Sequence, residues 1–150
     1  MIVSFFGHAD FLSNSLLREK ILTALENFYK KDKIDFYLGA YGRFDSFALS
    51  ICKEFKKTHN DCNLYFITPY LGSYLDSRKS YLCNIYDDII YPPLENELKR
   101  LAIIKRNEWI INKSDFIFFY VYRNYGGAYL ALNYAKRKRK NLLNIYEFEK

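Results

Sequence analysis

Short apolar runs alternate with stretches of helical periodicity from one end of this chain to the other, and that alternation narrows the fold more than any other feature. Residues 2–6 (IVSFF) are followed by Leu16, Leu17, Ile21, Leu25 and Phe28 at helical spacing, with Ser13 or Asn14 available as a cap. Residues 35–38 (DFYL) end at Gly39, and Phe47, Ala48, Ile51, Cys52 and Phe55 then mark a second helix. Residues 64–68 (LYFIT) are stopped by Pro69. The stretch 70–93 is irregular and reads as a long functional or lid-like loop, with a short strand near Ile89 to Tyr91. Leu94, Leu98, Leu101, Ile104 and Ile111 predict a third helix over 94–112. Residues 116–122 (FIFFYVY) are the strongest strand, Gly126-Gly127 opens a fourth helix, and Leu142 to Tyr146 is a last strand. Strands apolar on both faces and separated by helices predict a single Rossmann-like α/β domain over 1–150, a parallel sheet of about five strands with helices on both faces.

Length and composition agree with one domain. The chain has 150 residues, 50% of them hydrophobic and 19% aromatic, which excludes disorder. Fifteen Tyr and thirteen Phe predict an aromatic core, with enough left at the surface to suggest a homo-oligomer. The net charge of +6 is modest, and its densest run, Lys136 to Lys140, falls where cations complement the end of a helix. A nucleic-acid partner is therefore disfavoured. The three cysteines show no CxxC spacing and read as reduced thiols of a cytoplasmic protein. Neither His8 nor His59 has a metal-ligand spacing, so no metal is expected. No apolar run approaches the ~20 residues of a membrane span, and the apolar start lacks the basic region of a signal peptide.

In a parallel sheet of this kind, ligands bind at the carboxyl edge, so the residues just after the strands matter most. Those loops are Gly7-His8-Ala9-Asp10, the segment 39–45 (GAYGRFD) and Arg123-Asn124-Tyr125-Gly126-Gly127. All three carry glycine, and two run directly into a helix. Glycine lets backbone approach a ligand, and the first N–H groups of a helix lack internal partners and attract phosphate. Arg43 and Arg123 would add charge-assisted bonds. Tyr41, Phe44 or Tyr125 would stack on a base. Asp45 is either a helix-start carboxylate or a hydrogen-bond acceptor for a ribose or base, and His8 either a ligand contact or a histidine satisfied by backbone. On the 94–112 helix, Arg100 and Asn107 share a face and Arg106 lies about 60° from it. They form either a solvated basic surface or a phosphate-facing patch. Trp109 suits the core or a subunit interface. Neither GxGxxG nor GxxxxGK[ST] occurs, so no cofactor of those classes is indicated. No GxSxG elbow, metal triad or activated cysteine is present, and no catalytic residue is assigned.

Taken in order, Phe6-Gly7-His8, the GxYGxFD stretch at 39–45, Pro69-Tyr70, Tyr91-Pro92-Pro93-Leu94-Glu95, Arg106-Asn107-x-Trp109, Ser114-Asp115 and Gly126-Gly127-Ala128 with Tyr134-Ala135-Lys136 resemble the small YpsA/YspA-like branch of the SLOG superfamily. The resemblance runs over residues 3–145. It implies a Rossmann-like fold and a nucleotide-related pocket built from Gly7, His8, Gly39, Tyr41, Gly42, Phe44, Asp45, Arg106, Asn107, Arg123, Gly126 and Gly127. It also implies a place among enzymes on nucleotides or sensors of nucleotide-derived signals, often in defence systems. One departure bears on activity. LOG-type phosphoribohydrolases carry a PGGxGTxxE loop whose Glu serves catalysis, and here Tyr129, Leu130 and Asn133 replace its last Gly, its Thr and its Glu. The expectation is therefore a module that binds a nucleotide or nucleotide-derived small molecule. The alternatives are a hydrolase of a nucleotide or its N-glycosidic bond, acting through His8, Asp45 or Glu95, and a binder of single-stranded nucleic acid.

Overall fold

A computed structural model of the protein describes residues 1–149. Its elements, in chain order, are β1 (Ile2–Gly7), α1 (Ser15–Tyr29), β2 (Asp35–Leu38), α2 (Arg43–Thr58), β3 (Asn63–Ile67), α3 (Ser73–Asp76), α4 (Lys79–Cys83), β4 (Asp88–Ile90), α5 (Ala102–Lys113), β5 (Phe116–Tyr120), α6 (Gly127–Arg137) and β6 (Leu142–Asn144), with 3-10 turns at Lys99–Leu101 and Ile145–Glu149. The strands form one parallel, six-stranded sheet in the order β4-β3-β2-β1-β5-β6. The chain winds outward from β1 to β4, then returns to place β5 on the other side of β1. That reversal puts the crevice where ligands bind in such sheets beside the carboxyl end of β1.

Both faces of the central strands are buried, which is why those strands are largely apolar. Val3, Phe5, Phe36, Leu38, Leu64, Phe66 and Phe118 pack against α1 and α2 through Leu17, Ile21, Leu25, Phe44, Ile51 and Phe55. Phe6, Ile67, Ile117 and Phe119 pack against α5 and α6 through Ile110, Ile111, Ala131, Leu132 and Ala135. Much of this core is aromatic, as composition predicts. Phe5 stacks on Phe118 at 5.4 Å and Phe6 on Phe119 at 5.6 Å between ring centres, joining the two central strands. Asn14 caps α1 by accepting from the N–H groups of Leu16 and Leu17.

The structure corrects several sequence-based boundaries. The sheet has six strands rather than about five, because the weak 89–91 signal is a true strand one residue earlier. The stretch 70–93 holds two single-turn helices as well, too short to show a period. The third helix begins at Ala102, not at residue 94. Leu98 keeps extended backbone (φ −62°, ψ 132°) and is 58% exposed, so its helical spacing from Leu94 reflects no buried face. The strong strand stops at Tyr120, and the last strand stops at Asn144, where a 3-10 turn takes over. Cys52 and Cys62 are buried, Cys83 is exposed, and all three are free. Among the described residues, no helix is long and apolar enough to cross a membrane.

Candidate functional site

The carboxyl ends of β1, β2 and β5 and the inward face of α5 enclose a cavity of about 280 Å³. Of the twelve residues expected to form a site, all but Gly42 and Phe44 line it. Gly7 and His8 come from the end of β1, Gly39, Tyr41 and Asp45 from the β2–α2 loop and first turn, Arg106 and Asn107 from α5, and Arg123, Gly126 and Gly127 from the β5–α6 loop.

The two exceptions support the cavity from behind. Phe44, expected as a stacking aromatic, is fully buried in the core instead. Its ring lies directly beneath Gly7, where an added Cβ would come within 2.2 Å of it. A helix-start residue facing the sheet is drawn into the core, and its position beside the loop gives no sign of this. Gly42 caps α2 in the left-handed region (φ 91°), with Ala9 Cα only 2.6 Å from where a side chain would start. The Arg43 N–H donates to Ala9 O at 3.0 Å, tying the β1 and β2 loops together. The Arg43 side chain faces outward and takes no part in the cavity.

Arg106 is the central charge. Only 6% exposed, it donates from Nη1 to Ile67 O at 3.0 Å and from Nε to Asn107 Oδ1 at 3.1 Å. Among the described residues Nη2 has no acceptor, and it is left to the cavity that Arg106 lines. Of the two sequence readings, a solvated basic surface is thus wrong for Arg106. It holds for Arg100, which is exposed and does not line the cavity. Gly39 makes room for this guanidinium. A Cβ there would lie 3.3 Å from both Nη1 and Nη2 of Arg106 and from Asp45 Oδ2.

Asp45 faces Arg106 across that notch. Its Oδ2 accepts the Tyr41 N–H at 2.8 Å. Burial pushes its carboxyl up to about 6, against the opposing pull of the Tyr41 hydrogen bond and the Arg106 charge. The folded value lies above the ordinary value of 3.8, so the ionised carboxylate costs stability above pH 6. That cost fades as pH falls from about 6 towards 3.8. Asp45→Asn keeps an acceptor for the Tyr41 N–H and removes the charge. It is expected to raise stability in urea denaturation at pH 8 by on the order of 2 kcal/mol, with the gain shrinking by pH 4.5. A loss of stability at pH 8 would show that attraction to Arg106 outweighs desolvation.

His8 is buried, and its Nε2 accepts the backbone N–H groups of Tyr122 (3.1 Å) and Arg123 (3.4 Å). Burial, then the nearby Arg123 charge, lower its pKa, with Asp10 opposing. The imidazole is therefore neutral with its proton on Nδ1, a hydrogen-bond donor rather than a base. His8 is satisfied by backbone, as one of its two sequence readings has it, and it also lines the cavity.

Arg123 is held by Asp10, Nη1 at 3.0 Å from Oδ2 and Nη2 at 3.1 Å from Oδ1. Its guanidinium sits over Tyr122 and Tyr125, 5.1 and 5.3 Å from the ring centres. Its Nε is buried, with no hydrogen-bond partner among the described residues. Beside it, α6 starts with N–H groups that have no acceptor within the helix, the first helical bond being Leu130 N–H to Gly126 O.

Sequence reasoning missed Ile103, Ile110 and Ala128 as cavity walls, and Asp10 as the partner of Arg123. Ile103 and Ile110 stand a heptad apart and bracket Arg106-Asn107, a spacing that puts all four on one side of the helix. Asn133, at the position of the LOG-type glutamate, lies in a groove between α5 and α6 and does not line the cavity. Glu95 lines a different cavity, near Tyr70 and Tyr91. Trp109 is half-buried and stacks on Tyr37 with rings 5.8 Å apart. Among the described residues no cluster of three or more His, Cys, Asp or Glu is placed to hold a metal. No protein-family model matches the sequence, and no curated protein matches it.

Proposed function

We propose that the cavity binds a nucleotide or nucleotide-derived small molecule, and that the protein is a sensor or sequestering module of the SLOG kind. One observation carries this reading: a buried arginine, Arg106, leaves a guanidinium N–H pair unpartnered at the switch point of a parallel sheet, among the N–H groups of α6. A buried cation without a full set of acceptors suits an anion, and the start of a helix suits phosphate. Tyr41 and Tyr125, 70% and 64% exposed, line the same cavity and offer aromatic faces to a base. The volume of about 280 Å³ suits a mononucleotide better than a dinucleotide.

A second reading rests on Asp45. A carboxyl whose pKa lies near 6 inside a cavity is suited to proton transfer at neutral pH, which favours cleavage of a nucleotide or its N-glycosidic bond. One experiment addresses both readings: thermal unfolding with mono-, di- and cyclic nucleotides and ADP-ribose derivatives, followed by product analysis of each mixture. A ligand at 100 times its Kd adds about 2.7 kcal/mol of stability, a rise of about 5–10 °C for a domain of this size. A shift with intact ligand supports a sensor, and a shift with products an enzyme. No shift with any of them would overturn the nucleotide reading.

A further inference from the structure

We infer that Asp10, on the rim of the cavity, sets the charge of the ligand, so that the site selects a singly charged phosphodiester over a doubly charged phosphomonoester. This rests on the nucleotide reading above and goes beyond it to the class of phosphate.

The charged side chains lining the cavity are Asp45, Arg106 and Arg123. Arg123 is already matched. Both of its terminal nitrogens are held by the two oxygens of Asp10, which stands outside the lining with a side chain 57% exposed. Stacking over Tyr122 and Tyr125 fixes the guanidinium in that pose. Its Nε, without a partner among the described residues, is itself buried and has no surface open to the cavity, so Arg123 in this pose offers the ligand no free charge-assisted donor. Arg106 has no ion pair among the described residues. Asp45 faces it across Gly39, and its charge grows as pH rises through about 6. Arg106 is thus the one lining guanidinium outside an ion pair among the described residues, opposed at pH 8 by the Asp45 carboxylate across Gly39, and the N–H end of α6 stands beside it.

A phosphodiester brings one negative charge, which the Arg106 guanidinium and the N–H end of α6 can meet at close range. A phosphomonoester carries nearly two above its second pKa of about 6. The second charge finds no free cation. It meets the Asp10 carboxylate, which competes for Arg123, and the Asp45 carboxylate behind Arg106. Asp10 is therefore a specificity-determining residue that touches the ligand only through Arg123. Removing its charge frees Arg123 as a second cation without altering the cavity wall.

The test is a set of dissociation constants, by titration calorimetry at pH 8 and low salt, for the 3′,5′-cyclic and the 5′-monophosphates of the four common ribonucleosides. The wild type, Asp10→Asn and Asp10→Glu are compared. Wild type and Asp10→Glu are expected to favour the cyclic form. In Asp10→Asn the preference for the diester falls roughly tenfold, because the monoester gains affinity while the diester changes little. Added salt shrinks the difference between the variants. Binding with the same diester-to-monoester ratio in wild type and Asp10→Asn overturns this inference and leaves the nucleotide reading standing. No binding of any nucleotide by the wild type overturns both.

Discussion

Gly7→Ala is expected to destabilise the domain by roughly 3 kcal/mol, lowering the unfolding midpoint by about 6–12 °C. The cause is local and severe. The added methyl would stand 2.2 Å from Phe44 Cγ and 2.4 Å from Cδ1, far inside contact distance. Phe44 cannot retreat: it is fully buried, and its ring packs against Phe11, Phe47 and Tyr120. Nor can the backbone of Gly7, which is paired with Tyr120 at the centre of the sheet. Gly127→Ala is the control, because nothing lies within 4 Å of its added Cβ and alanine is the better helix former. Its midpoint is expected to stay within about 2 °C of wild type or to rise. The double variant Gly7→Ala with Phe44→Leu is expected to lose less than the sum of its parts, since the smaller side chain admits the methyl. Strict additivity, or a Gly7→Ala midpoint equal to that of Gly127→Ala, would show that the loop does not rest on Phe44.

The same pair of residues shows how far the sequence could be read. The order of strands and helices was legible because each buried strand is apolar on both sides and each long helix carries a stripe. The carboxyl-edge loops followed from that order, and with them the cavity's wall from β1, β2 and β5, though not its wall from α5. Legibility failed where local pattern and tertiary environment part. Phe44 lies between loop residues, so it resembles a ligand contact, yet it starts a helix whose inner face is the core. Leu94, Leu98 and Leu101 keep helical spacing without forming a helix, because the segment between Pro92 and Lys99 turns instead, with Leu94 N–H bonded to Pro92 O and Glu97 N–H to Leu94 O. The Asp10–Arg123 bond spans more than a hundred positions, and nothing local announces it. Arg106 offered two readings because a helical wheel gives direction but not depth. Only the sheet beneath α5 decides that this arginine points inward, to the carbonyl of Ile67.

Arg106→Ala is expected to weaken binding of any phosphorylated ligand by at least about a hundredfold, through loss of a buried charge-assisted contact. The same change should be felt in the fold. It leaves the Ile67 carbonyl without its donor and removes the positive charge that holds the Asp45 carboxyl down. The Asp45 pKa therefore moves further above 6, and the variant loses more stability at pH 8 than at pH 5, where Asp45 is protonated in the folded protein. These two consequences separate binding from folding. Carbon-detected titration of the Asp45 carboxyl, with Asp45→Asn to assign the signal, is expected to show an upward shift in the unliganded Arg106→Ala variant. Arg106→Lys keeps a cation and is expected to hold the carboxyl nearer its wild-type value. It still binds poorly, because a lysine ammonium cannot reproduce the planar fork that reaches Ile67 O, Asn107 Oδ1 and the cavity together. A folded Arg106→Ala protein that retains affinity within threefold of wild type would remove this residue from the site, and an unmoved Asp45 titration would separate the two groups electrostatically. If both changes appear together, one guanidinium sets the charge of the cavity and the proton affinity of the carboxyl across from it. Ligand affinity and the pH dependence of stability then have a single physical origin, the burial of Arg106 beside Gly39.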